Sequence, residues 1–272
     1  MEAETTPLGA SARRGSAEAP ARRTLVYGHR LGGQNGPECS RAALERTLSD
    51  GVDGLEADVV LTSDQEIVAC HDPLLEISTA DRSGWAHEHT LRELTRAHLL
   101  DARGEPSDET LMSLRELITA TPADLAVQLD VKAYADPGLA ARAAQRCCEI
   151  ARELGARERV EIISFFSAAC GVATERGFEA RLTVWADYDP RALARWAIDH
   201  GASGLALEGF ILGPQLHKAI REAGLGLSVG VVNSVDQLLR ILPFEPEIIV
   251  SDCPHEVGAA LAEIGEASAE GA

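Results

Sequence analysis

Two acidic residues, Glu56 and Asp58, sit in the stretch Leu55-Glu56-Ala57-Asp58-Val59, where apolar and acidic positions alternate. Alternation is the pattern of a β-strand, on which residues two apart project from the same face. The two carboxylates therefore share one side, an arrangement suited to a hard divalent cation such as magnesium or calcium, which prefers oxygen ligands. A short apolar run over 67–70 then leads to His71 and Asp72, and a histidine close behind such a metal suits proton transfer. Taken alone, the same stretch also reads as a polar strand end followed by a surface loop. The surrounding elements decide between the two readings.

Those elements alternate. Short apolar runs at 24–28, 53–58, 125–131, 160–164, 180–185, 204–207, 227–232 and 248–250 read as strands. Each is followed by a helical pattern, several with a start or stop signal. Ser40 and Ser234 stand at N-cap positions, Pro190 in a first turn, and Gly51, Gly155 and Gly224 at helix ends. Eight strand–helix repeats in 272 residues predict a TIM-type (β/α)8 barrel, in which the chemistry gathers at the C-terminal ends of the strands. His29-Arg30, Glu56, Asp58, His71 and Asp130-x-Lys132 all fall there or just beyond. The barrel domain is expected over 23–265, with a loop insertion after the second strand. This polar insertion runs to about residue 108 and is expected to form a lid or substrate loop. Within it, 91–100 reads as helical, and His87, His89 and His98 read as exposed polar residues. A helix capped by Ser113 follows, through residue 120. Residues 1–22 are rich in Ala, Glu, Arg, Ser and Pro without periodicity, which predicts a disordered tail or an artefact of the assigned start.

Composition narrows the function. A formal charge of -18 argues against a general electrostatic affinity for nucleic acid or an anionic membrane. It leaves room for an anionic small molecule, because a metal and a few bases can reverse the potential inside a pocket. A hydrophobic fraction of 45% with only 4% aromatics implies a large core built from Leu, Ile, Val and Ala. The six cysteines include no Cys-x-x-Cys pair, which favours reduced, buried thiols over a disulfide framework or zinc site. No apolar run reaches membrane-spanning length, and Arg13-Arg14 is not followed by a hydrophobic segment. The expected location is cytoplasmic, without stable membrane insertion.

In order along the chain, His29-Arg30, Pro37-Glu38, Glu56-x-Asp58 with Thr62 and Asp64 in register, His71-Asp72 and Asp130-x-Lys132 resemble the motifs of the glycerophosphodiester phosphodiesterase family. Val232-Asn233 and Ser251-Asp252-x-Pro254 extend the resemblance to about residue 257. It implies that Glu56, Asp58 and Asp130 bind one divalent ion, Mg2+ or Ca2+, and that His29 and His71 are the catalytic histidines. It places Arg30 and Lys132 near the substrate phosphate and Glu38 at a motif position near the metal. The chain departs from the family pattern at Leu31, where the family has Gly, at Cys39-Ser40 in place of Asn-Thr, and at Asp130 in place of Glu. Gly230 replaces a Trp, and Cys253 an Arg. The acid, base and metal set is intact, and several changes fall in the walls that would select the alcohol.

The chemistry implied is metal-dependent cleavage of a small-molecule phosphodiester to an alcohol and glycerol phosphate. The metal would offset the negative charge that repels a nucleophile. Arg30, a planar fork, and Lys132, a point charge, would bind phosphoryl oxygens. One histidine would take a proton and the other give one. The nucleophile is water or a neighbouring substrate hydroxyl, and in the second case the product is a cyclic phosphate. A barrel that binds phosphate esters without turnover is the alternative from outside enzymology.

Overall fold

The computed structural model describes residues 23–270, so the expected tail over 1–22 lies outside the described residues. Strand β1 (Leu25–Gly28) leads through a tight turn to helix α1 (Arg41–Asp50), whose first turn is capped by Ser40 Oγ accepting the Ala43 N–H at 3.1 Å. Strand β2 (Gly54–Leu61) follows, then an insertion: β3 (Ile67–Ala69), the short helix α2 (Leu91–Leu94), the hairpin β4 (His98–Leu100) and β5 (Pro106–Thr110), and α3 (Leu114–Ala120). From there strand and helix alternate: β6 (Ala126–Val131), α4 (Pro137–Glu153), β7 (Val160–Ser164), α5 (Ser167–Glu175), β8 (Glu179–Val184), α6 (Pro190–Asp199), β9 (Gly204–Glu208), α7 (Pro214–Ala223), β10 (Gly226–Gly230), α8 (Val235–Ile241), β11 (Ile248–Ser251) and α9 (Pro254–Glu270).

Strands β1, β2 and β6 to β11 pair in parallel, and β11 pairs back with β1. This is the closed eight-stranded barrel that the sequence predicts, with the helices outside it. The main core lies between strands and helices, where outward residues such as Leu55, Ala57, Leu129 and Ile162 meet Ala140, Ala144 and Cys147 of α4. Tyr27, Ile248 and Val250 make a smaller apolar layer that packs apart from this core. Gly54 is required beside it, because a Cβ there would lie 2.5 Å from the Tyr27 ring. No described helix is long and apolar enough to cross a membrane.

Strand β2 has eight residues, all buried, and outreaches its barrel neighbours. Its first part lies in register with β6, pairing Glu56 with Gln128 and Asp58 with Asp130. Its last three residues pair antiparallel with β3. The insertion is therefore an extension of the barrel wall with its own core of Val60, Val68, Leu75, Leu94, Leu99 and Leu111. The helical reading of 91–100 is corrected here. Thr90 and Glu93 form a capping box that starts α2, but the helix ends at Leu94. The chain then extends so that Leu99 reaches this second core. Of the three histidines read as exposed, His98 is exposed, whereas His87 and His89 are half-buried. His87 packs 5.9 Å from Trp85 and 5.8 Å from Tyr134, ring centre to ring centre. The final helix runs past the expected boundary at 265 to Glu270.

A polar network ties four barrel strands together. Arg181 of β8 donates to Glu161 of β7 at 2.6 Å and to Glu247, just before β11, at 2.9 Å, while Gln128 of β6 donates to the second Glu161 oxygen at 2.7 Å. Arg181 and Glu161 are 12% and 15% exposed, so loss of one partner strands a charge away from water. Arg181→Ala is expected to lower unfolding stability by about 3–5 kcal/mol in urea titration, and adding Glu161→Gln is expected to recover part of that loss.

Candidate active site

At the C-terminal mouth of the barrel, seven of the eight predicted site residues line one cavity of about 220 Å³: His29, Arg30, Glu56, Asp58, His71, Asp130 and Lys132. Each is delivered by a different local device. His29 and Arg30 follow β1 directly, in a turn where Arg30 (φ 50) and Leu31 (φ 65) both adopt left-handed backbone. That conformation is costly for residues with a Cβ, on the order of 1–3 kcal/mol each. It is retained with Leu31 fully buried in the core and with the Arg30 N–H donating to Glu56 Oε2 at 2.9 Å. Glu56 and Asp58 share one face of β2, and Asp130 is the direct cross-strand neighbour of Asp58. His71 arrives from the strand that β2 holds antiparallel, since the Cys70 N–H donates to the Asp58 carbonyl at 3.0 Å.

The histidines are oriented by their partners. His29 Nδ1 lies 2.7 Å from Asp252 Oδ1, and a carboxylate accepts, so the Nδ1 proton is donated and Nε2 is left toward Glu56, 3.9 Å away. Asp252 is held in turn by the Asn233 side-chain amide at 2.6 Å. Burial works against the His29 imidazolium, but the hydrogen bond to Asp252 and the Glu56 charge outweigh it, and the pKa lies above the ordinary histidine value. His71 Nε2 lies 2.7 Å from Arg30 Nη2 and Nδ1 lies 3.2 Å from Asp72 Oδ1. A guanidinium only donates, so Nε2 accepts and the ring proton sits on Nδ1.

The three buried carboxylates carry the strain of the site. Burial, reinforced by Asp58, pushes Glu56 up to about 8, with His29 opposing. Burial also raises Asp130, against the pull of Lys132. For Asp58, burial is outweighed by Lys132, His71 and Arg30, and its pKa is held below the usual range. Lys132 Nζ bridges the pair, 2.8 Å from Asp58 Oδ1 and 2.5 Å from Asp130 Oδ2. That leaves Asp58 Oδ2 and Asp130 Oδ1 buried with no hydrogen-bond partner among the described residues. Ligand oxygens of Glu56, Asp58 and Asp130 lie within 4.8 Å of one another. A buried all-oxygen cluster with free lone pairs is the donor set a divalent cation takes. Glu38 stands apart from it: it is 41% exposed and makes a two-pronged ion pair with Arg30 at 2.8 and 2.9 Å.

Residues 29–255 match the model of the glycerophosphoryl diester phosphodiesterase family. The chain belongs to that family. A glycerophosphodiester phosphodiesterase of Caldanaerobacter subterraneus is 25% identical over 239 residues, covering 86% of this chain and 96% of the relative. Glycerophosphodiester phosphodiesterase 1 of Rattus norvegicus is 34% identical over 126 residues, or 45% of this chain and 38% of that protein. Among solved structures, a putative glycerophosphoryl diester phosphodiesterase from Silicibacter pomeroyi superposes with a TM-score of 0.78 at 20% identity, covering 91% and 95% of the two chains. A phosphodiesterase of Oleispira antarctica, solved with the product sn-glycerol-3-phosphate, gives 0.74 at 21% identity and covers 88% and 96%. These structures share the barrel of this family member.

Sequence reasoning quoted Asn233 and Asp252 as motif residues without a role, and the structure places them behind His29. The signal was available: Asp252 directly follows the last barrel strand, and closure of the barrel sets Ser251 beside Gly28. Glu208, at the end of β9, was missed. It lines the cavity wall and is raised above the ordinary glutamate value by burial.

Because His29 titrates higher in the folded protein than the ordinary value of 6.5, its contribution to stability is full below that pH and is lost as pH rises through the folded value. Asp252→Asn is expected to lower the His29 pKa in an NMR titration. In urea unfolding, this variant should lose more stability at about pH 5.5 than at about pH 8.

Proposed function

We propose that this family member hydrolyses a glycerophosphodiester to an alcohol and glycerol phosphate, with a divalent cation, Mg2+ or Ca2+, and two-histidine acid–base catalysis. The observation that carries this reading is the convergence of both oriented histidines and the three buried carboxylates on one cavity. Glu56, Asp58 and Asp130 would hold the cation, whose chemistry when bound is to offset charge on a phosphoryl oxygen. Arg30 and Lys132, both kept charged by the carboxylates around them, present donors to the remaining phosphoryl oxygens. Glu38 anchors the Arg30 fork from the rim.

His29 and His71 have Nδ1 held by a carboxylate, Asp252 and Asp72 respectively. His29 can exchange a proton at Nε2 without losing its orientation, and His71 Nε2, which accepts from Arg30 Nη2 at 2.7 Å, takes a proton as that donor turns to the phosphate. Attack on phosphorus requires one proton removed from the nucleophile and one delivered to the leaving alkoxide, and the two rings divide these tasks. Similarity to glycerophosphodiester phosphodiesterases of known name supports the substrate class.

Phosphorus NMR of glycerophosphocholine incubated with the protein and magnesium or calcium is expected to show glycerol phosphate, and a chelator is expected to abolish it. His29→Ala and His71→Ala should each lower kcat by about 10²–10⁴-fold. Full activity in either histidine variant contradicts the assignment. A cyclic phosphate as final product replaces hydrolysis with a lyase reaction, and binding without turnover reduces the protein to a phosphate-ester receptor.

A further inference from the structure

Beside the catalytic cavity lies a second and larger one, of about 470 Å³ against about 220 Å³. It occupies the gap between β8 and α6 on the barrel's outer side. Its deep wall is Leu182 and Val184, which point outward from β8, and Leu193 of α6, all buried. Its rim is aromatic. The chain has three tryptophans, and two of them, Trp185 and Trp196, line this cleft with Tyr188. In a protein with so few aromatics, these three stay 65%, 42% and 62% exposed. Three large exposed rings around one cleft with a buried apolar wall are the kind of patch that marks an interaction site.

The cleft adjoins the catalytic cavity, with Phe165 and Thr183 lining both. Phe165 follows β7, and Lys132 Nζ lies 5.1 Å from its ring centre. The ring face thus meets the Lys132 ammonium while the residue also walls the apolar cleft. The Thr183 hydroxyl has no hydrogen-bond partner among the described residues. The cleft offers little to a polar occupant. Among the described residues, Asp189 is the only charged one lining it, and its Oδ1 is taken by the Ala192 N–H at 2.8 Å as the cap of α6.

We propose that the cleft between β8 and α6 binds an alkyl or acyl chain carried by the alcohol half of the phosphodiester, so that this enzyme acts on amphiphilic diesters with an apolar tail. The inference rests on the phosphodiesterase reading for the position of the phosphate. With the phosphate on Arg30 and Lys132, a substituent directed over Phe165, beyond the end of β7, reaches the cleft. The tail then covers Trp185, Tyr188 and Trp196, and each methylene leaves water.

The test is binding, so that it stands apart from turnover. Calorimetric titration uses O-alkyl methylphosphonates, stable monoanionic mimics of a phosphodiester, from methyl to octyl and with a choline ester alongside. Affinity is expected to rise about two- to fourfold per methylene once the chain reaches the cleft. Trp185→Ala, at an exposed position, is expected to flatten that slope. Phe210→Ala, an exposed aromatic outside both cavities, is expected to keep it. Affinity independent of chain length overturns the proposal, as does a choline ester that binds more tightly than every alkyl ester. So does a slope that survives Trp185→Ala but falls in Phe210→Ala. Loss of turnover on every diester together with an intact chain-length slope strikes the hydrolase reading and leaves the tail site standing.

Discussion

Asp58 and Asp130 face each other across two parallel strands, with Glu56 one step along the same wall, and all three are buried. Like charges side by side out of water are strongly unfavourable. Most features of the barrel mouth answer that problem. Lys132 bridges the aspartates, the Arg30 amide meets Glu56, and the Arg30 guanidinium lies 3.4 Å from Asp58. The left-handed turn at Arg30 and Leu31 is the backbone cost of bringing both Arg30 groups to bear. Even so, the cluster keeps unpaired lone pairs, and burial holds Glu56 far above its ordinary pKa. A site that is incompletely neutralised by its own side chains is prepared for an external cation and for an anionic ligand at once.

The same electrostatics organise the proton-transfer groups. His29 leans on Asp252 and Glu56, and His71 on Asp72 and Arg30. Each histidine thereby belongs to a chain of contacts that ends on the carboxylate cluster. The shorter Asp130, in place of the family's glutamate, reaches the cluster because strict register with Asp58 puts its carboxylate beside that of its neighbour. Lys132, two residues on, closes on both aspartates.

The barrel was legible because its signals are local. Alternating runs such as 125–131 and caps such as Ser40 and Gly224 act within a few residues, and the structure returns them with ends shifted by at most three residues. The site residues were legible as an ordered set, since strand ends map onto one rim in this fold. The insertion was not. Its core draws single residues, Val60, Leu75, Leu94 and Leu99, from a polar stretch with no period, so 91–100 looked helical and His87 looked exposed. Asp252 was in view as the residue after the last strand, and only its partner went unread. Its contact with His29 spans 223 positions and arises only when the last strand closes on the first. Glu38 stood near the metal in the motif reading, and its ion pair with Arg30 is a side-chain contact that no spacing reveals.

The central claim is that Glu56, Asp58 and Asp130 form a cation site. Calorimetric titration of chelator-treated protein with magnesium or calcium tests it directly. The account predicts saturable binding of one equivalent to the wild type and its loss in a Glu56→Gln, Asp58→Asn double variant that remains folded. Absence of saturable binding to the wild type, or equal binding by the variant, would contradict it.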